Sequence, residues 1–135
     1  MITIRAIDHL VLRTTRAEEM IAFYTGLLGC EIERRLAPEF GLIQLRAGAS
    51  IIDIVPVDSE LGRMGGGPPD PEARNLDHFC LQIEAVDEGA LLKWLSGQGI
   101  EAGPFQRRYG AEGFGPSVYL RDPDGNTVEL KLPGS

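Results

Sequence analysis

Ile7-Asp8-His9-Leu10-Val11-Leu12-Arg13 and Leu76-Asp77-His78-Phe79-Cys80-Leu81-Gln82 read as one stretch used twice. Each runs apolar residue, Asp, His, and then a segment of strand character. Together they hold both histidines of the chain. Each is followed by a helical pattern and, further on, by an apolar strand carrying one carboxylate. Asp53 sits inside Ile51-Ile52-Asp53-Ile54-Val55, and Glu129 inside Thr127-Val128-Glu129-Leu130. His78 follows His9 by 69 residues, Gly99 follows Gly29 by 70, and Glu129 follows Asp53 by 76. So small a drift is what two copies with loop insertions give, and the histidines of the two copies are expected to face a common site.

The elements between these landmarks repeat in the same order. Residues 4–13 carry β-type residues and predict a strand. Thr14 and Thr15 can cap a helix over 17–28, where Met20, Ile21, Phe23, Tyr24, Leu27 and Leu28 recur at three and four, and Gly29 ends it. Strands are expected at 31–37, 40–46 and 50–57, separated by Pro38 and Gly48. Residues 62–71 are a linker by composition, either disordered or a cover over a site. The pattern then restarts with a strand at 75–84, a helix from Glu88 to Gln98 capped by Asp87, and strands at 100–106, 116–121 and 126–132. Asp122-Pro123-Asp124-Gly125-Asn126 is a turn, because Pro presets φ and Gly accepts a positive one. The stretch 107–116, rich in Gly and aromatics, reads equally as a flap over a ligand or as a plain hairpin. The expected fold class is α+β, two βαβββ modules in one domain, with module one at 1–61, a linker at 62–74 and module two at 75–135.

A charge within an apolar strand is costly unless it is paired or bound to a metal. Two imidazoles and two carboxylates form a mixed N/O donor set suited to Zn, Ni, Mn, Co or Fe, so His9, Asp53, His78 and Glu129 are the candidate ligands of one divalent metal per site. Strand alternation puts Arg13 on the face of His9, Gln82 on that of His78, and Lys131 on that of Glu129. The cations Arg13 and Lys131, with the Gln82 amide, point to an anionic, small-molecule substrate.

The bulk numbers exclude other classes. With 135 residues and a net charge of -7, the chain lacks the basic face that nucleic-acid binding needs. No apolar run approaches the roughly 20 residues that span a bilayer. Met1-Ile2-Thr3-Ile4-Arg5 shows no secretory pattern, and Cys30 and Cys80 do not make a disulfide framework. The expectation is a cytoplasmic protein with two reduced, buried thiols.

Asp8-His9-Leu10-Val11-Leu12, Phe23-Tyr24 with Leu28-Gly29, Leu76-Asp77-His78, and Arg121-Asp122-Pro123-Asp124-Gly125-Asn126 with Val128-Glu129-Leu130 resemble the vicinal oxygen chelate superfamily. That superfamily holds glyoxalase I, fosfomycin- and bleomycin-resistance proteins and extradiol dioxygenases. The resemblance implies half-open barrel sheets, a homodimer, and a divalent metal held by the first-strand His and last-strand carboxylate of each module. Asp53 departs from the glyoxalase pattern, which has Glu there, and Pro56-Val57 stand where that pattern helps to hold glutathione. The resemblance implies a glyoxalase-like metal-dependent lyase or isomerase, for which Glu129 is the candidate catalytic base, and Arg13 matches the basic residue that the glyoxalase pattern has four after its first His; Gln82 and Lys131, from strand alternation, and Tyr119 complete the candidate substrate-binding residues. The alternatives are a resistance-type thiol transferase, a metal-free drug-binding protein, or an extradiol dioxygenase.

Overall fold

The computed structural model describes residues 1–134, which divide into two compact units at Glu72/Ala73. In the first unit, β1 (His9–Thr14), α1 (Ala17–Ala22), β2 (Glu31–Arg35), β3 (Ile43–Ala47) and β4 (Ser50–Pro56) are followed by a single helical turn, α2 (Glu60–Arg63). The second contains β5 (His78–Gln82), α3 (Glu88–Gly97), β6 (Gln106–Gly110), β7 (Gly113–Arg121) and β8 (Thr127–Lys131). Among the described residues these strands form two four-stranded mixed sheets, ordered β1-β4-β3-β2 and β5-β8-β7-β6. The fold is α+β, and the two sheets are the same arrangement built twice. In each, the first and last strands run parallel and the remaining pairs antiparallel.

Alternation sorts the side chains of the first sheet. Leu12, Thr14, Ile52 and Ile54 are buried on one face, with α1 contributing Met20 and Ile21 to the same core. His9, Val11 and Arg13 take the other face, together with Asp53 and Val55 through the parallel register Val11↔Asp53 and Arg13↔Val55. In the second unit Val118, Leu120, Val128 and Leu130 are buried on one face, and α3 buries Leu95. His78, Cys80, Gln82, Glu129 and Lys131 share the opposite face, through Cys80↔Glu129 and Gln82↔Lys131.

Several boundaries differ from the sequence expectation. The strand expected over 4–13 begins only at His9, where β4 begins to offer a partner. Ile2, Ile4 and Ile7 precede the ladder and stay exposed. The helix expected over 17–28 is α-helical only to Ala22 and continues as a π-helical turn, Phe23–Leu27. There the Thr25 hydroxyl donates back to the Ile21 carbonyl (2.7 Å), a contact that loosens the regular ladder. Thr14 does not cap that helix directly; its Oγ1 accepts from the Arg16 N–H, the residue that occupies the cap position. Gly29 ends the segment at φ +78°, as its position predicts. Residues 100–105 are not a strand, and 107–116 resolve into the β6–β7 hairpin rather than a flap. Asp87 caps α3 by accepting from Ala90 N–H at 2.8 Å.

Candidate functional site

Each module supplies one histidine oriented by the aspartate before it. In the second, His78 Nδ1 donates to Asp77 Oδ2 at 2.7 Å. A carboxylate only accepts, so the Nδ1 proton is fixed and Nε2 is left to face Glu129 Oε1, 3.2 Å away. Glu129 is buried and His78 half-buried. An imidazole lone pair against a carboxylate at that range is repulsive unless a proton or a metal cation lies between them. Ligands about 2.1 Å from one ion stand roughly 3 Å apart, so the separation fits two donors of one centre. The Asp-His-cation arrangement is also the usual way a ligating imidazole is held in orientation.

In the first module His9 Nδ1 meets Asp8 Oδ2 at the same 2.7 Å. That hydrogen bond raises His9 above the ordinary imidazole range; the Asp53 and Asp8 charges act in the same direction, and partial desolvation acts against them. Asp53 is 4% exposed, and its Oδ1 is a buried polar atom with no hydrogen-bond partner. An orphaned carboxylate oxygen is unstable without a cation or donor, so Asp53 also fits a ligand role. The registers match: His9 stands opposite Ile51 with Asp53 two residues on, and His78 opposite Thr127 with Glu129 two residues on. The glutamate reaches its histidine, while no ion pair joins His9 to the shorter Asp53. Each unit therefore holds one histidine and one strand carboxylate at matching register positions, in contact only in the second, and among the described residues no three His, Cys, Asp or Glu side chains form a metal-binding group.

The other expected site residues are placed as follows. Tyr119 lies edge-on to His78, ring centroids 5.4 Å apart, and the Arg108 guanidinium covers its ring at 4.1 Å. Lys131 is buried on the Glu129 face, with Gln82 exposed beside it in register. A cleft of about 1220 Å³ lies between α3, residues 99–103 and β7, and reaches Tyr119 and Thr127 but not His78, Glu129 or Lys131. Arg13 is engaged differently from the expected contact with substrate. Its Nε and Nη2 donate to Gly62 O (3.2 and 3.0 Å), and Nη2 also to Gly66 O and Gly67 O (2.6 and 2.9 Å). It thereby anchors much of the stretch expected to be a linker. Of the two thiols expected to be buried, only Cys30 is; Cys80 lies exposed on edge strand β5. Although the residue is exposed, partial desolvation of its sulfur first, and the adjacent Glu129 charge second, push its pKa up to about 11.

Sequence reasoning gave no role to Asp8, Asp77 or Arg108. The Asp-His step occurring in both copies was a usable signal for the aspartates. Arg108 carried none, because its position depends on the β6–β7 register.

Comparisons with known proteins agree with this fold. The family model of the Glyoxalase/Bleomycin resistance protein/Dioxygenase superfamily matches residues 6–130. Virulence protein STM3117 of Salmonella typhimurium is 30% identical over 129 residues, covering 92% of this chain and 81% of that protein. Its crystal structure superposes with a TM-score of 0.72 over 98% of this chain and 99% of that one, at 25% identity. A structure from the mobile metagenome of V. Pseudocholerae gives a TM-score of 0.73 at 26% identity, covering 100% of this chain and 99% of that one. Lactoylglutathione lyase from Agrobacterium tumefaciens shares the fold, with a TM-score of 0.60 at 21% identity over 94% of this chain and 92% of that one. The chain, with its doubled His–carboxylate strand pairs, belongs to the Glyoxalase/Bleomycin resistance protein/Dioxygenase superfamily.

Proposed function

We propose that the protein is a divalent-metal-dependent, glyoxalase-like lyase or isomerase acting on a small, oxygen-rich, anionic molecule. The observation that carries this reading is the approach of His78 Nε2 to Glu129 Oε1 at 3.2 Å, with the other imidazole nitrogen committed to Asp77. His9, Asp53, His78 and Glu129 are the proposed ligands, a set suited to Zn, Ni, Mn, Co or Fe. When bound, the metal supplies Lewis-acid polarisation of substrate oxygens, which acidifies an adjacent C–H.

The rest of the chemistry falls to the chain. Asp77 and Asp8 hold their imidazoles in one tautomer. Glu129 is the base that takes a proton from the carbon and returns it to a neighbouring atom. Its burial keeps water from competing for that proton. Tyr119, Gln82 and Lys131 orient the substrate, and Arg13 contributes by holding the segment 62–67 against its own strand. We further assign the protein to the cytoplasm as a homodimer; no described helix is long and apolar enough to cross a membrane.

Metal analysis of the purified protein tests the ligand set. One ion per site is expected, lost in a His9→Ala/His78→Ala double variant. Glu129→Gln should retain most of the metal but lose deuterium uptake at the carbon beside the carbonyl of 2-oxo acids, followed by NMR. Unchanged uptake in that variant removes Glu129 from the base role. No metal, together with no rise in melting temperature on adding metals, would make this a metal-free binding protein.

A further inference from the structure

Lys131 is 5% exposed, yet among the described residues no ion pair involves it. Its surroundings are shaped around it. The side chain extends across β7 toward β6, over positions that carry no side chain. A Cβ at Gly115 would stand 3.0 Å from Lys131 Nζ, and a Cβ at Gly110 3.1 Å from its Cε.

Arg108 is the second cation on this face without a carboxylate partner. Its Nη1 donates to Ser117 O and Oγ at 2.7 and 2.9 Å, and its Nη2 to Gln106 Oε1 at 3.3 Å, all neutral acceptors. The register puts Lys131 opposite Ser117 and Arg108 opposite Gly115. The two cations thus stand on either side of β7, with a small, neutral residue pair between them. In a chain of net charge -7, two positive charges on one sheet face, neither in an ion pair among the described residues, can meet a ligand's negative charge.

We propose that Lys131 and Arg108 form an oxyanion-binding subsite two residues along the sheet from Glu129, about 7 Å at the strand rise. The inference rests on the metal-site reading above and narrows its substrate class. The substrate is a short acid that presents a pair of oxygens at His78 and Glu129, and a carboxylate or phosphonate head at Lys131 and Arg108. The head is fixed by a point charge on one side and a planar fork on the other.

Isothermal titration calorimetry on the Mn²⁺-supplemented protein tests this with three probes. 2-Oxoglutarate has both ends, 2-oxopentanoate lacks the distal acid, and 2-oxo-4-phosphonobutanoate carries a phosphonate in its place. At least tenfold tighter binding of one distal acid over 2-oxopentanoate is expected, and the better of the two acids names the head group. That preference should vanish in Lys131→Met, which keeps the buried stem, and should fall in Arg108→Gln; thermal melts check that both variants fold. Equal affinity for all three probes, no measurable binding, or a preference that survives Lys131→Met overturns the proposal. Metal content is read on the same samples. A Lys131-dependent preference in metal-free protein keeps the subsite and removes the metal-dependent reading, while bound metal without the preference removes the subsite alone.

Discussion

Asp53 and Glu129 occupy equivalent register positions, each two residues past the strand partner of a histidine. One methylene separates them. It lets Glu129 approach His78 to 3.2 Å, and it leaves Asp53 Oδ1 buried without a partner. Without a bound cation, that orphaned oxygen costs the fold about 1–3 kcal/mol. Asp53→Asn is therefore expected to raise the stability of metal-stripped protein by up to that amount, and to weaken metal binding, as read by urea unfolding with and without metal. A drop in stability for the stripped protein would contradict the orphaned-charge account. Cys80 offers a second test at this scale. With its pKa pushed up to about 11 by partial desolvation first and Glu129 second, the thiol stays protonated through neutral pH. Thiolate falls tenfold per pH unit below the pKa, so alkylation of Cys80 by iodoacetamide at pH 8 should run about a hundredfold slower than at an ordinary thiol. Glu129→Gln removes one of the causes and should speed it, as measured by mass spectrometry.

At the scale of elements, the turn α2 turns part of a nominal linker into fixed structure. Ser59 caps it, accepting from Gly62 N–H at 3.0 Å and donating to Pro56 O at 2.6 Å. Gly62 is required there for space, since a Cβ would lie 1.9 Å from the Pro56 carbonyl oxygen. Ser59→Ala should cost about 1 kcal/mol, the usual loss on removing an N-cap. Gly62→Ala should cost more than about 2 kcal/mol, because the obstacle is backbone and cannot rotate away. Both are read by denaturant midpoints. In α3, Leu95 is fully buried, and Leu95→Ala is expected to cost about 2–5 kcal/mol.

For the whole molecule, the two units are one supersecondary pattern used twice, each with an orienting aspartate, a histidine and a carboxylate on parallel-paired strands. Their donor sets differ in reach, and only the second adds the Lys131–Arg108 pair. The proposed homodimer is checked by sedimentation velocity, where a species of about twice the 14.7 kDa chain mass is expected. A single monomeric species across the micromolar range would remove that assignment.

The sequence by itself determined the doubled unit, the histidine and carboxylate positions, the Asp87 cap and the Asp122–Asn126 turn. Each of these depends on local chemistry: alternation, a capping side chain, or proline and glycine in a tight turn. Residues 122–126 close as read, with Asp122 accepting from the Asp124 and Asn126 backbones at 2.9 Å each. Tertiary structure alone decided where β1 begins, because a strand ends where its partner does. It decided that residues 107–116 are a hairpin, and with that register it brought Arg108 over Tyr119. It also decided that Arg13 is engaged by glycine carbonyls about fifty residues away, and that one methylene divides a paired carboxylate from an orphaned one. Those outcomes depend on which backbone lies opposite which, and that is settled only when the strands pair.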